Sequence, residues 1–187
     1  MSITLNKLAT LAAIMVLPAS ALAAPTVTFE GEVTSQTCSI NINGQTNSVV
    51  LLPTVSIKDF GETLEATKTA GFTPFTVSIT NCQAPQADTN ITTNFLGYNV
   101  DSASGVLGNT RTGADAATGF GIQLLKDTQD NASSAVNLKG VTPVQGLVLK
   151  NGETSASYDF GVRYYSMGDN GTAGKITAVA EYTVSYL

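Results

Sequence analysis

The chain has 187 residues, 43% of them hydrophobic and 12% charged, with a formal net charge of −5. That balance argues against a disordered chain and against a nucleic-acid partner, which needs a basic face. There is no histidine and there are only two cysteines, Cys38 and Cys82, which leaves out His-dependent nucleophilic catalysis and a four-cysteine zinc site and implies no cofactor.

Residues 1–23 have the three parts of an export signal. The segment up to Lys7 carries one basic side chain and no acid. Leu8 to Leu17 is apolar apart from Thr10, and Ala21-Leu22-Ala23 gives the small-x-small pattern that predicts cleavage between Ala23 and Ala24. The apolar run is shorter than the roughly 20 residues of a membrane-spanning helix. No later stretch is long enough either, so the mature chain, residues 24–187, is expected to have no integral membrane segment. Export changes what the cysteines mean. Outside the cytosol Cys38 and Cys82 most simply form one internal disulfide, with two free thiols or an intermolecular bond as the alternatives. Closing a loop of about 45 residues contributes about 4 kcal/mol in the chain-entropy account. No Cys-x-x-Cys pair suggests a redox role.

From Thr26 onward the chain reads as strands. Val27, Phe29, Gly31 and Val33 alternate with Thr28, Glu30 and Glu32, and Phe75, Val77 and Ile79 alternate with Thr76, Ser78 and Thr80. A period of two places each set on one face of a strand. Further strands are expected at Cys38–Ile42, Val49–Leu52, Ile91–Tyr98, Phe120–Leu125, Leu147–Lys150 and Ser155–Tyr165. The longest alternation is Ile176, Ala178, Ala180, Tyr182, Val184 and Tyr186. Turn signals separate them at Asn43-Gly44, Asn151-Gly152 and Asn170-Gly171. Helical patterning is weak: Lys58 to Lys68 allows a short helical turn, interrupted by Gly61. Ala103 to Thr118 is small, polar and Gly-rich and reads as an exposed loop. Seven or more short strands with turns between them predict an all-β fold, an antiparallel sandwich of immunoglobulin-like type.

Other chemistry is poorly supported. Gly119-x-Gly121 lacks the third glycine of a dinucleotide fingerprint, and no helix follows it. Asp127-x-x-Asp130-Asn131 lacks the glycine and the distal Glu of a calcium loop. Chance pairs of carboxylates do not make a glycosidase, so no enzyme is expected. Both ends of the mature chain are strongly β-prone. Patterning alone favours pairing within their own sandwich, although an exposed apolar edge also permits pairing with another molecule.

Thr26-Val27-Thr28-Phe29-Glu30-Gly31-Glu32-Val33 followed by Cys38, and Val77-Ser78-Ile79-Thr80-Asn81-Cys82, resemble the pilins of chaperone–usher fimbriae, most closely the major subunits of type 1-like fimbriae. Phe95-Leu96-Gly97 and Gly119-Phe120-Gly121-Ile122-Gln123-Leu124-Leu125 match in type and order. At the C-terminus Tyr186 is penultimate and Gly174 stands fourteenth from the end, with alternating apolar residues between them. The resemblance covers the whole mature chain.

The resemblance implies an incomplete immunoglobulin-like sandwich, completed by a donor strand from another subunit. It divides the chain into a signal peptide (1–23), an N-terminal donor extension (24–36) and a pilin domain (37–187). Val27, Phe29, Gly31 and Val33 would point into a sister subunit's groove, with Gly31 where the groove is too shallow for a side chain. Gly174, Ile176, Ala178, Ala180, Tyr182, Val184 and Tyr186 would form this subunit's own acceptor groove and C-terminal motif. The implied partners are identical or related pilins, a periplasmic chaperone whose basic residues hold the Leu187 carboxylate, and an outer-membrane usher. The implied destination is a surface fimbria that supports adhesion. Only Ala24 and Pro25 precede the donor pattern, and Pro25 has no N–H to pair. A minor adaptor pilin, a single-domain adhesin and a secreted enzyme are the competing readings. The family's two-domain tip adhesins carry a lectin domain for which this chain has no room.

Overall fold

A computed structural model describes residues 34, 36 and 38–186. Eight strands follow in order: β1 (Ser39–Ile42), β2 (Thr69–Thr80), β3 (Thr89–Gly97), β4 (Leu107–Gly108), β5 (Phe120–Leu125), β6 (Thr142–Leu149), β7 (Ala156–Ser166) and β8 (Ala180–Ser185). Five form one sheet in the order β1-β2-β7-β5-β4, and three form a second in the order β6-β3-β8. Every pairing between these strands is antiparallel. This is the antiparallel immunoglobulin-like sandwich that the alternating segments predict, incomplete as the family resemblance implies.

The alternation decides what lies between the sheets. Phe75 and Val77 of β2, Phe160 and Val162 of β7 and Ile122 and Leu124 of β5 face Phe95 of β3 and Val144 of β6 in one buried cluster. Phe160 is its centre. Its ring stacks on Phe75 at 5.6 Å and meets Phe95 and Tyr158 edge-on at 5.2 and 5.1 Å, geometries that aromatic quadrupoles favour. A second cluster, with Ile79, Cys82, Ile91, Leu147 and Leu149, fills the end nearer the disulfide. The register Ser39↔Thr80 brings the start of β1 beside the end of β2, and Cys38 and Cys82 are bonded there. The internal pairing is therefore the one adopted.

The turn at Asn43-Gly44 has both residues at positive φ, 48° and 80°, as a two-residue reversal between Ile42 and Gln45 requires. The segment after Ser56 makes one turn of 3-10 helix, Ile57–Phe60, closed by a capping box between Ser56 and Asp59 and ended at Gly61, whose φ is 125°. Gly61 thus stops the helical turn that Lys58 to Lys68 allows.

Three expectations need correction. Ala103 to Thr118 is not simply an exposed loop: it contains β4, and Val106, Leu107 and Ala117 are buried. Its glycines permit this, since a Cβ at Gly108 would lie 2.6 Å from the Asn99 carbonyl oxygen, so the chain packs too closely for a side chain. Val49–Leu52 joins no ladder among the described residues. The long C-terminal alternation is a ladder strand only over Ala180–Ser185, because the residues before it lie beside a loop instead of a strand.

Candidate functional site: a cleft between two unpaired walls

Among the described residues the three-stranded sheet ends at β8, which pairs there only with β3. The Val179 carbonyl accepts from the Tyr98 N–H at 2.9 Å, so the odd-numbered residues turn their backbone groups toward β3. Strand geometry then turns the N–H and C=O of Ala178, Ala180, Tyr182 and Val184 the other way, where no strand lies among the described residues. The same division extends upstream. Thr177 donates its N–H to Asn109 Oδ1 at 2.9 Å, and its carbonyl accepts from the Thr110 N–H at 2.8 Å. Lys175 is engaged by Asp115 and Ala117. Ile176 and Ala178 are left facing outward from this pairing.

Across the gap runs the segment of residues 46–55, held at one end by the Ile42–Gln45 turn and at the other by the Ser56 cap. Among the described residues its backbone makes no hydrogen bond to another backbone group. Pro53 has no N–H to offer, which suits an edge. Its side chains alternate: Val50 and Leu52 pack against the core, whereas Val49 and Leu51 are 74% and 82% exposed.

Between these walls lies a cleft of about 530 Å³. Its floor includes Phe75, Phe95, Ile122, Leu124, Leu138 and Val162, and none of the lining residues is charged. From Ile176 to Tyr182 the wall spans about 20 Å at the rise of a strand. An apolar floor with an unpaired backbone edge on each side is the complement of one β-strand. Alternate side chains of such a strand would enter the floor while its N–H and C=O groups satisfied both edges. One polar link crosses the gap: the Tyr182 hydroxyl donates to the Thr46 carbonyl at 3.2 Å. Burial raises the Tyr182 and Tyr164 phenols above their ordinary value of 10.0, so both remain protonated donors near neutral pH. No cluster of metal-ligating side chains occurs among the described residues. No helix among them is long and apolar enough to cross a membrane.

Of the residues singled out in the sequence, Ile176, Ala178, Ala180 and Tyr182 line the cleft. Val184 and Tyr186 lie past its end, against the cluster beside the disulfide. Gly174 is outside the cleft and acts by absence: a Cβ there would lie 2.5 Å from Ala117 N and 2.6 Å from Ala116 C. That close approach seats Lys175 against the 115–117 backbone and so fixes where the C-terminal wall begins. The cleavage residues Ala23 and Ala24, the donor residues Val27, Phe29, Gly31 and Val33, and Leu187 lie outside the described residues. The sequence reading missed the second wall, Ser48 to Leu52, as part of the site. The signal available was its unbroken apolar run, Val49-Val50-Leu51-Leu52, lying between the Asn43-Gly44 turn and Ser56.

Residues 27–187 match the family model described as "Fimbrial: Fimbrial protein". The chain is 33% identical over 163 residues to the major fimbrial subunit SMF-1 of Stenotrophomonas maltophilia (strain K279a), covering 86% of this chain and 91% of that one. It is 30% identical over 163 residues to the F17 fimbrial protein of Escherichia coli, covering 86% of each. Among solved structures, the P pilus rod subunit PapA superposes with a TM-score of 0.56 at 16% identity, over 80% of this chain and 99% of that one. That likeness is one of fold.

Proposed function

The chain belongs to the fimbrial protein family, the chaperone–usher pilins, and is a structural subunit of a cell-surface fimbria; from that premise we propose that its subunits are joined by strand donation into the cleft. Residues 24–36 leave one subunit as a donor extension after cleavage at Ala23–Ala24. Val27, Phe29, Gly31 and Val33 enter the cleft of the next, over the body formed by residues 37–187. Before assembly a periplasmic chaperone lends a strand to the same cleft and holds the Leu187 carboxylate, and the outer-membrane usher is where the exchange takes place. The fibre supports adhesion of the cell that carries it.

One observation carries this reading: among the described residues, two facing edges of unpaired backbone flank an uncharged apolar floor. Left open, that arrangement exposes apolar surface and unsatisfied edge groups together, a liability that sheet proteins cover. A donor strand removes both costs at once. Phe29 alone contributes about 1.5–3 kcal/mol on full burial, and each ladder hydrogen bond about 0.5–1.5 kcal/mol net.

The test is titration of the refolded mature chain with a fluorescein-labelled peptide of residues 26–33. Saturable one-to-one uptake, abolished when Phe29 of the peptide is replaced by Asp, is the expected result. No uptake, or uptake indifferent to Phe29, refutes strand donation.

A further inference from the structure

The link between Tyr182 and Thr46 has no counterpart elsewhere between the two walls. Ten consecutive residues, 46–55, cross the face of the cleft without a backbone ladder among the described residues. The segment is pinned at its ends and rests on the inward side chains Val50 and Leu52. Nothing in that contact fixes how far it stands from β8, because apolar contact is not directional. The hydrogen bond from the Tyr182 hydroxyl to the Thr46 carbonyl, 3.2 Å, does fix it. Tyr182 belongs to the ladder strand β8, opposite Phe95, so the donor end of the bond is anchored and the acceptor end belongs to the strap.

We propose that Tyr182 is a latch: its hydroxyl holds the strap of residues 46–55 against β8 in the empty subunit and releases it when a strand enters. This rests on the cleft being the acceptor for a donated strand. The latch occupies a backbone carbonyl of the strap, the kind of group an incoming strand's N–H groups need. It also joins the two walls that this strand must pass between. A latched strap lowers the fraction of subunits ready to accept a strand, and apparent affinity falls by that fraction. Tyr182 is therefore a positioning residue that governs access and leaves the bound strand's own contacts unaltered. Tyr165, the next tyrosine along β7, lies outside the cleft lining, which supplies an internal control.

The experiment follows stopped-flow uptake of the labelled 26–33 peptide by the refolded mature chain, comparing wild type, Tyr182→Phe and Tyr165→Phe. Phenylalanine keeps the ring and removes only the hydroxyl. The expected result is an association rate about 2- to 10-fold faster for Tyr182→Phe, the weight of one net hydrogen bond. The dissociation rate stays unchanged, and Tyr165→Phe behaves as wild type. A ring that merely packs against the bound strand would alter dissociation instead. Wild-type uptake with an equal or slower Tyr182→Phe association rate overturns the latch and leaves strand donation standing. Uptake by none of the three chains overturns strand donation and the latch with it.

Discussion

Replacing Ala178 by Asp puts a carboxylate on the wall of the cleft without disturbing the rest of the sandwich. Ala178 is half-buried at the cleft edge, so without a strand over it the new charge keeps much of its water and the fold is little affected. Once a strand lies over it, that water is gone, and no cation lines the cleft to replace it. Burying an unpaired carboxylate costs several kcal/mol even after relaxation. With about 3 kcal/mol surviving at neutral pH, affinity for the strand falls roughly 100-fold. The sign with pH follows from the same burial. Desolvation raises the carboxyl pKa in the filled cleft above its value in the empty one, so filling takes up a proton. Binding by the variant therefore recovers as pH falls through the raised value, by up to about tenfold per pH unit, whereas the wild type has no such group. Fluorescence anisotropy of the labelled 26–33 peptide between pH 7.5 and pH 5 measures both effects. Wild-type affinity at pH 7.5, or a loss without recovery at pH 5, would refute the reasoning.

Phe29→Asp in the whole chain leaves its own cleft intact; it should still form the chaperone complex yet yield no fibres, scored by electron microscopy of expressing cells. Gly174→Val drives a side chain into the Ala116–Ala117 backbone and should cost about 1–3 kcal/mol, seen as a lower denaturation midpoint; an unchanged midpoint would remove Gly174 from the account. Arg163, with a side chain 7% exposed, donates to Gln123 Oε1 of β5 at 2.9 and 2.8 Å and pins the loop of residues 126–135 through Asp130 Oδ1 at 2.7 Å. Arg163→Ala leaves the buried Gln123 oxygen without these donors and should destabilise by about 2–4 kcal/mol in urea titration. The Asp127 carboxyl in the same loop is held below its ordinary 3.8 by the Ser134 hydroxyl and then by the Gln129 N–H. Its contribution is complete above that ordinary value and lost as pH falls through the lowered one. NMR shifts of Lys126 and Ser134 should therefore stay constant from pH 7 to about pH 5 and move only in stronger acid.

Strand positions were readable where one face meets the core and the other meets water, because burial imposes the period of two that β2 and β8 show. Phe75, Val77 and Ile79 of β2 and Ala180 and Tyr182 of β8 are legible as strand positions for that reason, whereas Ile176 and Ala178 carry the same pattern without a ladder. The division of the C-terminal alternation was not readable. Val184 and Tyr186 have the same pattern but pack on the disulfide-side cluster, and only the three-dimensional end of the cleft separates them from Tyr182. Val49–Leu52 shows a different limit. It is an unbroken apolar run, Val49-Val50-Leu51-Leu52, and such a run reads the same whether or not a neighbouring strand pairs with it. The floor residues Ile122, Leu124 and Val162 come from strands far apart in sequence, so their convergence depends on the order β2-β7-β5. Ala103 to Thr118 misled because small and glycine-rich composition signals exposure, whereas here it permits close backbone packing beside Asn99.

Electron cryomicroscopy of the assembled fibre tests strand donation most directly. The account predicts an extended strand in every cleft, between the residue 48–52 wall and β8, with Phe29 on the floor and its density continuous with the body of the neighbouring subunit. A cleft closed by its own subunit's leading residues, or a fibre held together while the clefts stand empty, would contradict it.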